Sequence, residues 1–200
     1  VLDDSSDGTD ELVEELRPDN TRLVHFEGGV AHKRQVGAEL AETEWVLFTD
    51  ADVVFPPSYF DALPEHLEAD GFFGPKLSAG GHEAYYRVFS AGQALFSRLG
   101  FPAGSGSNMG MRTEALKDIG GFDLDLPCNE DTDVLFRLKQ HGYELKWVPE
   151  LGILNTDHRR LKRGAAWRVC HSLVRSTLLY ISLYFPFSRR WLYSSWGYWK

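Results

Sequence analysis

The stretch that decides the fold is WVLFTDADVVFPPS, residues 45–58, in which an apolar run ends in two aspartates. Residues 46–48 form the short apolar run typical of a buried parallel strand, and the prolines that follow cannot continue a central strand. Asp50 and Asp52 are therefore expected at the carboxyl edge of a sheet. Ligands bind at that edge in open α/β sheets, and two carboxylates one residue apart suit a hard divalent cation.

Strands and helices alternate on both sides of this stretch. The segment VLDD at residues 1–4 ends a first strand, SSDGT turns the chain, and DELVEELRP predicts a short helix closed by Pro18. RLVHFE repeats the strand signal, and VAHKRQVGAELA places Val36 and Leu40 four residues apart, as in an amphipathic helix. This alternation predicts an α/β fold with a mostly parallel sheet and helices on both of its faces.

The pattern changes twice further along the chain. From Gly71 it loosens, and apart from a helix over AYYRVFSAGQALFSRLG this middle section is expected to be insertion and loop. The helices TEALKDIG and EDTDVLFRLKQHG and the strand YELKWVP then restore the α/β pattern. Residues 164–200 are rich in Trp, Tyr and Arg and almost free of acids. We therefore divide the chain into a domain of residues 1–163 and a C-terminal helical, aromatic-rich segment of residues 164–200.

Composition excludes several classes of protein. With 43% hydrophobic and 25% charged residues, the 200-residue chain predicts one globular domain with a sizeable core. Its formal charge of −8 argues against a nucleic-acid partner, because such proteins cluster Lys and Arg against phosphates. Cys128 and Cys170 form no CxxC spacing, which makes a reducing, cytoplasmic compartment the default. The apolar run at 176–188 is shorter than the ~20 residues of a spanning helix and predicts a buried or interfacial helix.

Common phosphate-handling motifs are absent or incomplete. The glycines of GSGSNMG at 104–110 do not match the GxGxxG dinucleotide motif, and the chain has no GxxxxGKS or GxxxxGKT phosphate loop. A DxD-type phosphatase is a less favoured alternative, because Asp7-Gly8-Thr9 is present but Ser5 stands where the nucleophilic aspartate is needed. A bound phosphate must therefore be held by a metal ion and side chains, which gives weight to Asp50 and Asp52.

Four blocks in this order resemble the family 2 glycosyltransferases, nucleotide-sugar enzymes of the GT-A fold. They are VLDDSSDGT, KRQVGAELAETEWVLFTDAD, NMGMRTEALKDIGGFD, and NEDTDVLFRLKQHGYELKWVP followed by TDHRR. Their ordered combination, over roughly residues 1–160, is far more specific than any one block. The resemblance therefore implies a GT-A domain, a Rossmann-like fold of nucleotide-diphospho-sugar transferases.

The resemblance also implies a donor site at the strand ends. The donor-binding residues that it implies are Asp3, Asp4, Arg34 and Asp50. The first pair would accept a hydrogen bond from the nucleotide base, the arginine would face the diphosphate, and Asp50 would support the ribose. Asp52 and His158 would hold Mn²⁺ or Mg²⁺, which stabilises charge on the leaving nucleoside diphosphate.

Glu130 and Asp131 match the acidic pair of the family. The resemblance implies that Asp131 is the general base, which takes a proton from the acceptor hydroxyl as it attacks the anomeric carbon and inverts that centre. The same acids also suit the first turn of a helix, where the macrodipole favours negative charge, with Asn129 as its cap. Glu130, Arg159 and Arg160 are candidates for diphosphate or acceptor contacts. The basic run that contains the two arginines also suits anionic lipid or a solvated face.

The expected function is that of an inverting, divalent-metal-dependent transferase. It would move a sugar from a UDP- or GDP-sugar donor to an acceptor, which is a glycan or a lipid-linked molecule. The group that accepts the sugar would be a hydroxyl or a lipid phosphate. A non-catalytic nucleotide-sugar-binding domain is the alternative, and turnover of a donor separates the two. No nucleic acid is expected, and the aromatic and basic C-terminal segment predicts peripheral contact at the inner face of the membrane.

Family members normally begin with a strand and a helix upstream of VLDD. The upstream strand would lie between the strands that end at Asp4 and Asp50, so its backbone groups would complete both ladders. We therefore expect an upstream segment, and marginal stability and weak nucleotide binding for the 200 residues without it.

Overall fold

The computed structural model describes residues 1–156 and 165–196 and has the α/β architecture that the sequence predicts. The strands are β1 (Leu2–Asp3), β2 (Val24–His25), β3 (Trp45–Phe48), β4 (Val53–Val54), β5 (Gly71–Phe73), β6 (Lys76–Ser78), β7 (Met109–Arg112), β8 (Leu145–Trp147) and β9 (Ile153–Asn155). The α-helices are α1 (Thr9–Leu16), α2 (Val30–Glu39), α3 (Pro57–Ala62), α4 (Glu83–Arg98), α5 (Thr113–Asp118), α6 (Glu130–Gln140) and α7 (Ala165–Tyr184). Two 3-10 helices cover Leu63–His66 and Pro186–Tyr193.

The central sheet has the strand order β3-β7-β5-β8. Strands β3, β5 and β8 run in one direction, and β7 runs antiparallel between β3 and β5. A second sheet has the order β4-β9-β6, and β1 pairs with β2 in a separate parallel ladder. In the described residues β1 and β3 share no ladder, and the upstream strand expected between them remains a prediction.

Both faces of the central sheet are covered, as the sequence predicts. Phe72 and Phe73 of β5 enter different apolar clusters, because successive side chains of a strand point to opposite faces. Phe73 joins buried residues of α2, α5 and α6, whereas Phe72 joins a cluster that contains Tyr59 of α3. Burial of each large apolar side chain stabilises the fold by roughly 1.5–3 kcal/mol, so both clusters contribute to the core.

The middle section supplies central strands, and the expectation of insertion and loop there is wrong. Strands β5 and β7 lie inside this section, are almost wholly buried, and occupy the middle of the central sheet. Gly110 of β7 pairs with Phe72, and a Cβ at Gly110 would strike the Phe72 ring. Glycine is therefore required here by close packing and not by a turn. The three residues of β5 are also too few to show a periodic pattern.

Helix α6 lies between the central sheet and the C-terminal segment. Its side chains enter the sheet cluster on one side, and on the other Phe136 packs with Leu179 of α7 and with Leu192. The buried carboxylate of Asp133 lies 2.8 Å from Arg189, which ties the second 3-10 helix to α6. The predicted boundary at residues 163 and 164 lies outside the described residues. Among the helices that are described, none has the length and apolar character needed to cross a membrane.

Candidate active site

Helix α2 connects the ends of two strands through two consecutive cations. Lys33 donates a hydrogen bond to the carboxylate of Asp4, just after β1, and this bond lowers the pKa of Asp4. The next residue, Arg34, places Nη2 3.1 Å from Oδ1 of Asp50, just after β3. Two of the predicted acidic groups are therefore held beside one helix.

Arg34 lies at the centre of the site. Its side chain is only 11% exposed, and its terminal nitrogens donate to Asp50 and to Glu130 of α6. Burial disfavours the charged guanidinium, but Glu130, Asp131 and Asp50 outweigh burial and raise the pKa of Arg34. A Cβ at Gly106 would strike the guanidinium, so glycine there leaves the space that Arg34 fills. The guanidinium expected to face a diphosphate is thus enclosed between two carboxylates.

The carboxylate of Asp50 has two further partners. Its Oδ2 accepts a hydrogen bond from the Ser107 hydroxyl and lies 3.9 Å from Nζ of Lys76, which in turn donates to Ser107 at 2.9 Å. Burial alone would raise the pKa of Asp50, but Arg34, the Ser107 hydrogen bond and Lys76 lower it. Asp50 therefore stays ionised between the cations of Arg34 and Lys76.

Asp131 lies in the first turn of α6 and is held by backbone hydrogen bonds. The N–H of Gly106 donates to Oδ2 at 2.8 Å, and the N–H of Thr132 donates to Oδ1 at 2.7 Å. Its neighbour Glu130 has a side chain only 6% exposed. Burial, followed by the charge of Asp131, raises the pKa of Glu130 to about 7 against the opposing effect of Arg34. Glu130 therefore titrates near neutral pH inside the site.

Asn129 stands at the N-cap position of α6, but its side chain does not cap the helix. Its φ of 65° lies in the left-handed region, which Asn tolerates better than most residues. The side-chain oxygen instead accepts a hydrogen bond from Nε of Arg175 in α7, at 2.9 Å. The expected side-chain cap is therefore wrong, because the amide is engaged by the C-terminal segment.

Asp52 is fixed through its backbone to the residue that follows β9. Its carbonyl oxygen accepts hydrogen bonds from the N–H of Thr156 at 2.9 Å and from the Thr156 hydroxyl at 3.0 Å. His158, the second metal ligand expected from the resemblance, lies outside the described residues, as do Arg159 and Arg160. Within residues 1–156 and 165–196, no group of three or more His, Cys, Asp or Glu side chains is placed to hold a metal ion.

The donor atoms that are present fit a divalent ion that also uses phosphate oxygens. Asp50 and Asp52 supply carboxylate oxygens, which are the ligands that Mg²⁺ and Mn²⁺ prefer. Mg²⁺ is usually held by one or two carboxylates together with substrate phosphates, without a cage made only of protein atoms. Asp52 is the clearer ligand of the two, because Asp50 already bonds Arg34 and Ser107.

Asp3 and Asp4 lie together at the end of β1. Oδ1 and Oδ2 of Asp3 accept hydrogen bonds from the hydroxyl and the N–H of Ser5, at 2.6 and 3.2 Å. Asp4 instead reaches Lys33 of α2. The two carboxylates expected at the nucleotide base are therefore present at a strand end and are held in different ways.

Sequence reasoning missed three residues of this site, namely Lys76, Gly106 and Ser107. All of them belong to the middle section that composition assigned to insertion and loop. The GSGSNMG run carried a usable signal, because a glycine-serine run directly before a buried strand is typical of a backbone that closely approaches other groups.

The fold and the site define a GT-A domain. The solved mannosyltransferase PcManGT from Pyrobaculum calidifontis, in complex with GDP-Man and Mn²⁺, matches with a TM-score of 0.67 at 21% identity. That match covers 99% of this chain and 59% of the other. TarS 1-349 of S. aureus matches with a TM-score of 0.63 at 22% identity, covering 95% of this chain and 63% of the other, and has also been solved with UDP. These likenesses show the fold.

The chain belongs to glycosyl transferase family 2, whose family model matches residues 1–120. The succinoglycan biosynthesis protein ExoA of Rhizobium meliloti (strain 1021) is 24% identical over 165 residues, which are 73% of this chain and 49% of ExoA. The chain thus spans about half the length of this curated relative. The family membership that the four sequence blocks predict is confirmed.

Proposed function

We propose that this protein is an inverting glycosyltransferase that moves a sugar from a nucleotide-sugar donor to a hydroxyl acceptor. The observation that carries the proposal is the pair of bonds from Arg34 to Asp50 and to Glu130, which joins the aspartate stretch to the acidic pair. A donor held at Asp50 and Asp52 would thereby lie close to Asp131. Family membership supports the same assignment.

The proposed donor is a UDP- or GDP-sugar. PcManGT was solved with GDP-Man and TarS with UDP, which supports a nucleoside diphosphate as the leaving group. The base is assigned to the strand end that holds Asp3 and Asp4. Lys76 and Arg34 flank Asp50 and supply positive charge on the side where the diphosphate is expected.

The proposed metal is Mn²⁺ or Mg²⁺, held by Asp52 with support from Asp50 and from His158. When bound, the ion supplies positive charge that stabilises the leaving diphosphate. The Mn²⁺ in the PcManGT complex supports this assignment. The contribution of the chain itself is to hold Asp50 ionised and immobile through Arg34 and Ser107.

Asp131 is the proposed general base. It would take the proton of the acceptor hydroxyl while the acceptor oxygen forms a bond to the anomeric carbon. The bond between that carbon and the diphosphate oxygen breaks at the same time, and direct displacement inverts the centre. Gly106 and Thr132 each occupy one lone pair of the carboxylate, which leaves others free for the hydroxyl. A lipid phosphate acceptor would need no strong base.

The alternative function is nucleotide-sugar binding without transfer. The two are separated by incubating the protein with UDP- and GDP-sugars, Mn²⁺, and glycan or polyprenyl phosphate acceptors, and measuring release of nucleoside diphosphate. Transfer with inverted anomeric configuration is expected, and it should fall in Asp131→Asn when the acceptor is a hydroxyl. Donor binding without release in any combination would support the alternative.

We also propose that the C-terminal segment contacts the inner face of the membrane peripherally. Exposed residues recur every three or four positions along α7, at Trp167, Cys170, Val174, Thr177, Ile181 and Tyr184, and exposed Phe185 and Phe187 follow. This segment, residues 164–200, holds five of the 21 Lys and Arg residues and none of the 29 Asp and Glu residues. Such a mainly apolar, aromatic face within a basic segment suits an anionic lipid surface. A lipid-linked acceptor would lie at the same surface.

A further inference from the structure

Arg175 of α7 is completely buried, although an arginine is almost never buried unless it is paired. Its guanidinium donates to the side chain of Asn129 at 2.9 Å and to the carbonyl of Cys128 at 3.4 Å. It also donates to the carbonyls of Leu192, at 2.8 Å, and of Ser194. One side chain therefore joins the loop before α6 to the end of the C-terminal segment.

The loop that Arg175 holds leads directly into the acidic pair. Asn129, with its left-handed backbone, precedes Glu130 and Asp131, so its orientation sets where the first turn of α6 begins. The carbonyl of Asn129 accepts the N–H of Asp133 at 3.0 Å, as part of that turn. A displacement of Asn129 would therefore displace Asp131, which follows it by only two residues.

The guanidinium is well suited to this role because it is flat and multidentate. It can donate to several fixed oxygens at once, whereas a lysine ammonium is a compact charge on a flexible stem. The ring of Trp196 lies 4.9 Å from the guanidinium carbon and adds a cation–π contact. Because desolvation of a charge is costly, each of these partners offsets part of the cost of burying Arg175.

We propose that Arg175 is a positioning residue for Asp131, through which the C-terminal segment sets the activity of the acidic pair. The inference rests on the proposed function, in which Asp131 is the base. Arg175 itself touches neither donor nor acceptor in this scheme. It acts through Asn129 and Cys128, and it makes the C-terminal segment part of the catalytic apparatus as well as a surface for membrane contact.

The first test compares Arg175→Lys with Leu179→Ala in the full chain. Leu179 is fully buried in the same helix and packs with Phe136 and with Leu126, so its truncation lowers stability but leaves the bonds of Arg175 to Cys128 and Asn129 in place. We expect Arg175→Lys to lower kcat by about 10²-fold with an unchanged KM for the donor, as a small displacement of a catalytic group does. Leu179→Ala should melt earlier but keep its kcat below the melting range.

A double-mutant cycle with Asn129→Gly supplies the second test. Glycine accepts the left-handed backbone of residue 129 but removes the side-chain oxygen that Arg175 contacts. If Arg175 acts through Asn129, then Arg175→Met and Asn129→Gly should each reduce kcat, and the double variant should lose little more than either. Strictly multiplicative losses would overturn the proposed route.

Hydrogen exchange supplies a readout that needs no turnover. The amide of Gly106 donates to Asp131, so its protection reports where that carboxylate lies. We expect faster Gly106 exchange in Arg175→Lys than in Leu179→Ala when the two are compared at equal unfolding free energy. Equal exchange and equal kcat in the two variants would overturn the positioning role. Absence of sugar transfer by the unsubstituted chain would instead overturn the proposed function. In that case the exchange rate of the Gly106 amide would still decide whether Arg175 positions Asp131.

Discussion

At the scale of single residues, the site is organised by charges that lie far apart in the sequence. Arg34 bonds Asp50, 16 residues along the chain, and Glu130, 96 residues along the chain. Removing one partner of a buried ion pair is strongly destabilising because an uncompensated charge remains. Substitutions at Asp50 or Glu130 therefore change the charge around the buried Arg34 as well as ligand binding. Asp52 and Asp131 allow cleaner tests, because neither carboxylate is among the bonded partners of Arg34.

Asp52→Asn is expected to abolish Mn²⁺-dependent binding of nucleoside diphosphate with little loss of stability. The backbone carbonyl of Asp52, which holds Thr156, is kept in the variant, and only the carboxylate ligand is lost. Isothermal titration calorimetry with GDP and UDP, with and without Mn²⁺, measures the effect. Asp19→Asn, at an exposed turn, serves as the matched control. An unchanged affinity in Asp52→Asn would remove the metal-site assignment.

Asp131→Asn is expected to keep donor binding and to lose turnover. Removal of a general base typically costs on the order of 10²- to 10⁴-fold in rate. The amide oxygen can still accept one of the two backbone hydrogen bonds, so the loop should keep its place. Calorimetric donor affinity and the rate of transfer to a hydroxyl acceptor are compared for the two proteins. Transfer at the parent rate would show that Asp131 is not the base.

At the scale of elements, α6 is fixed between the central sheet and α7. Its inner side chains belong to the sheet cluster, and Phe136 packs with Leu179 and Leu192 of the C-terminal segment. Arg189 reaches both Asp133 and Asp123, at 2.8 and 2.9 Å, and adds a second connection beside that of Arg175. The C-terminal segment is therefore packed on the domain through one face, and the exposed face of α7 remains available to other surfaces.

Replacement of Trp167 and Phe187 by alanine is expected to weaken binding to anionic vesicles. The side chains of Trp167 and Phe187 are 62% and 71% exposed, so the fold should stay intact without them. Their loss takes away apolar surface that would enter the lipid interface. Co-sedimentation with vesicles of anionic and of neutral lipid measures the effect. The matched control is Leu16→Ala with Phe60→Ala, which removes similarly exposed side chains from α1 and α3. Vesicle binding that is equal in all three proteins, or absent in the parent, would contradict membrane contact. A concentration-dependent dimer that is lost when Trp167 and Phe187 are replaced would indicate self-association through this face.

At the scale of the whole molecule, Glu130 couples folding to pH. Its pKa is raised from 4.5 to about 7, so the folded chain binds this proton more tightly than the unfolded chain does. The free energy of unfolding should therefore fall as pH rises from 4.5 to 7, by on the order of 3 kcal/mol from this group. The pKa of Asp50 is lowered from 3.8. This group therefore makes the free energy of unfolding rise with pH, but only in solutions more acidic than pH 3.8.

Glu130→Gln is expected to flatten this dependence, because the amide does not titrate. Urea unfolding at pH 5, 6, 7 and 8 measures the free energy of unfolding for the parent and the variant. Glu150→Gln, at an exposed position, is the control and should follow the parent. Parallel pH profiles for the parent and Glu130→Gln would show that Glu130 does not have the raised pKa.

The sequence by itself determined the features that depend on neighbouring residues. These are the strand that ends at Asp50 and Asp52, the helix that begins with the acidic pair, the family, and the α/β class. Short-range periodicity and turn chemistry encode such features, so they can be read along the chain.

Only the tertiary structure decided the strand order and the partners of the charges. Strands β5 and β7 are buried by their neighbours in the sheet, and Gly110 marks close packing against Phe72, which composition alone does not distinguish from a loop. The bonds of Arg34 to Glu130 and of Arg175 to Asn129 likewise span 96 and 46 residues. Contacts of this kind depend on how the sheet brings distant loops together, and no local pattern in the sequence specifies them.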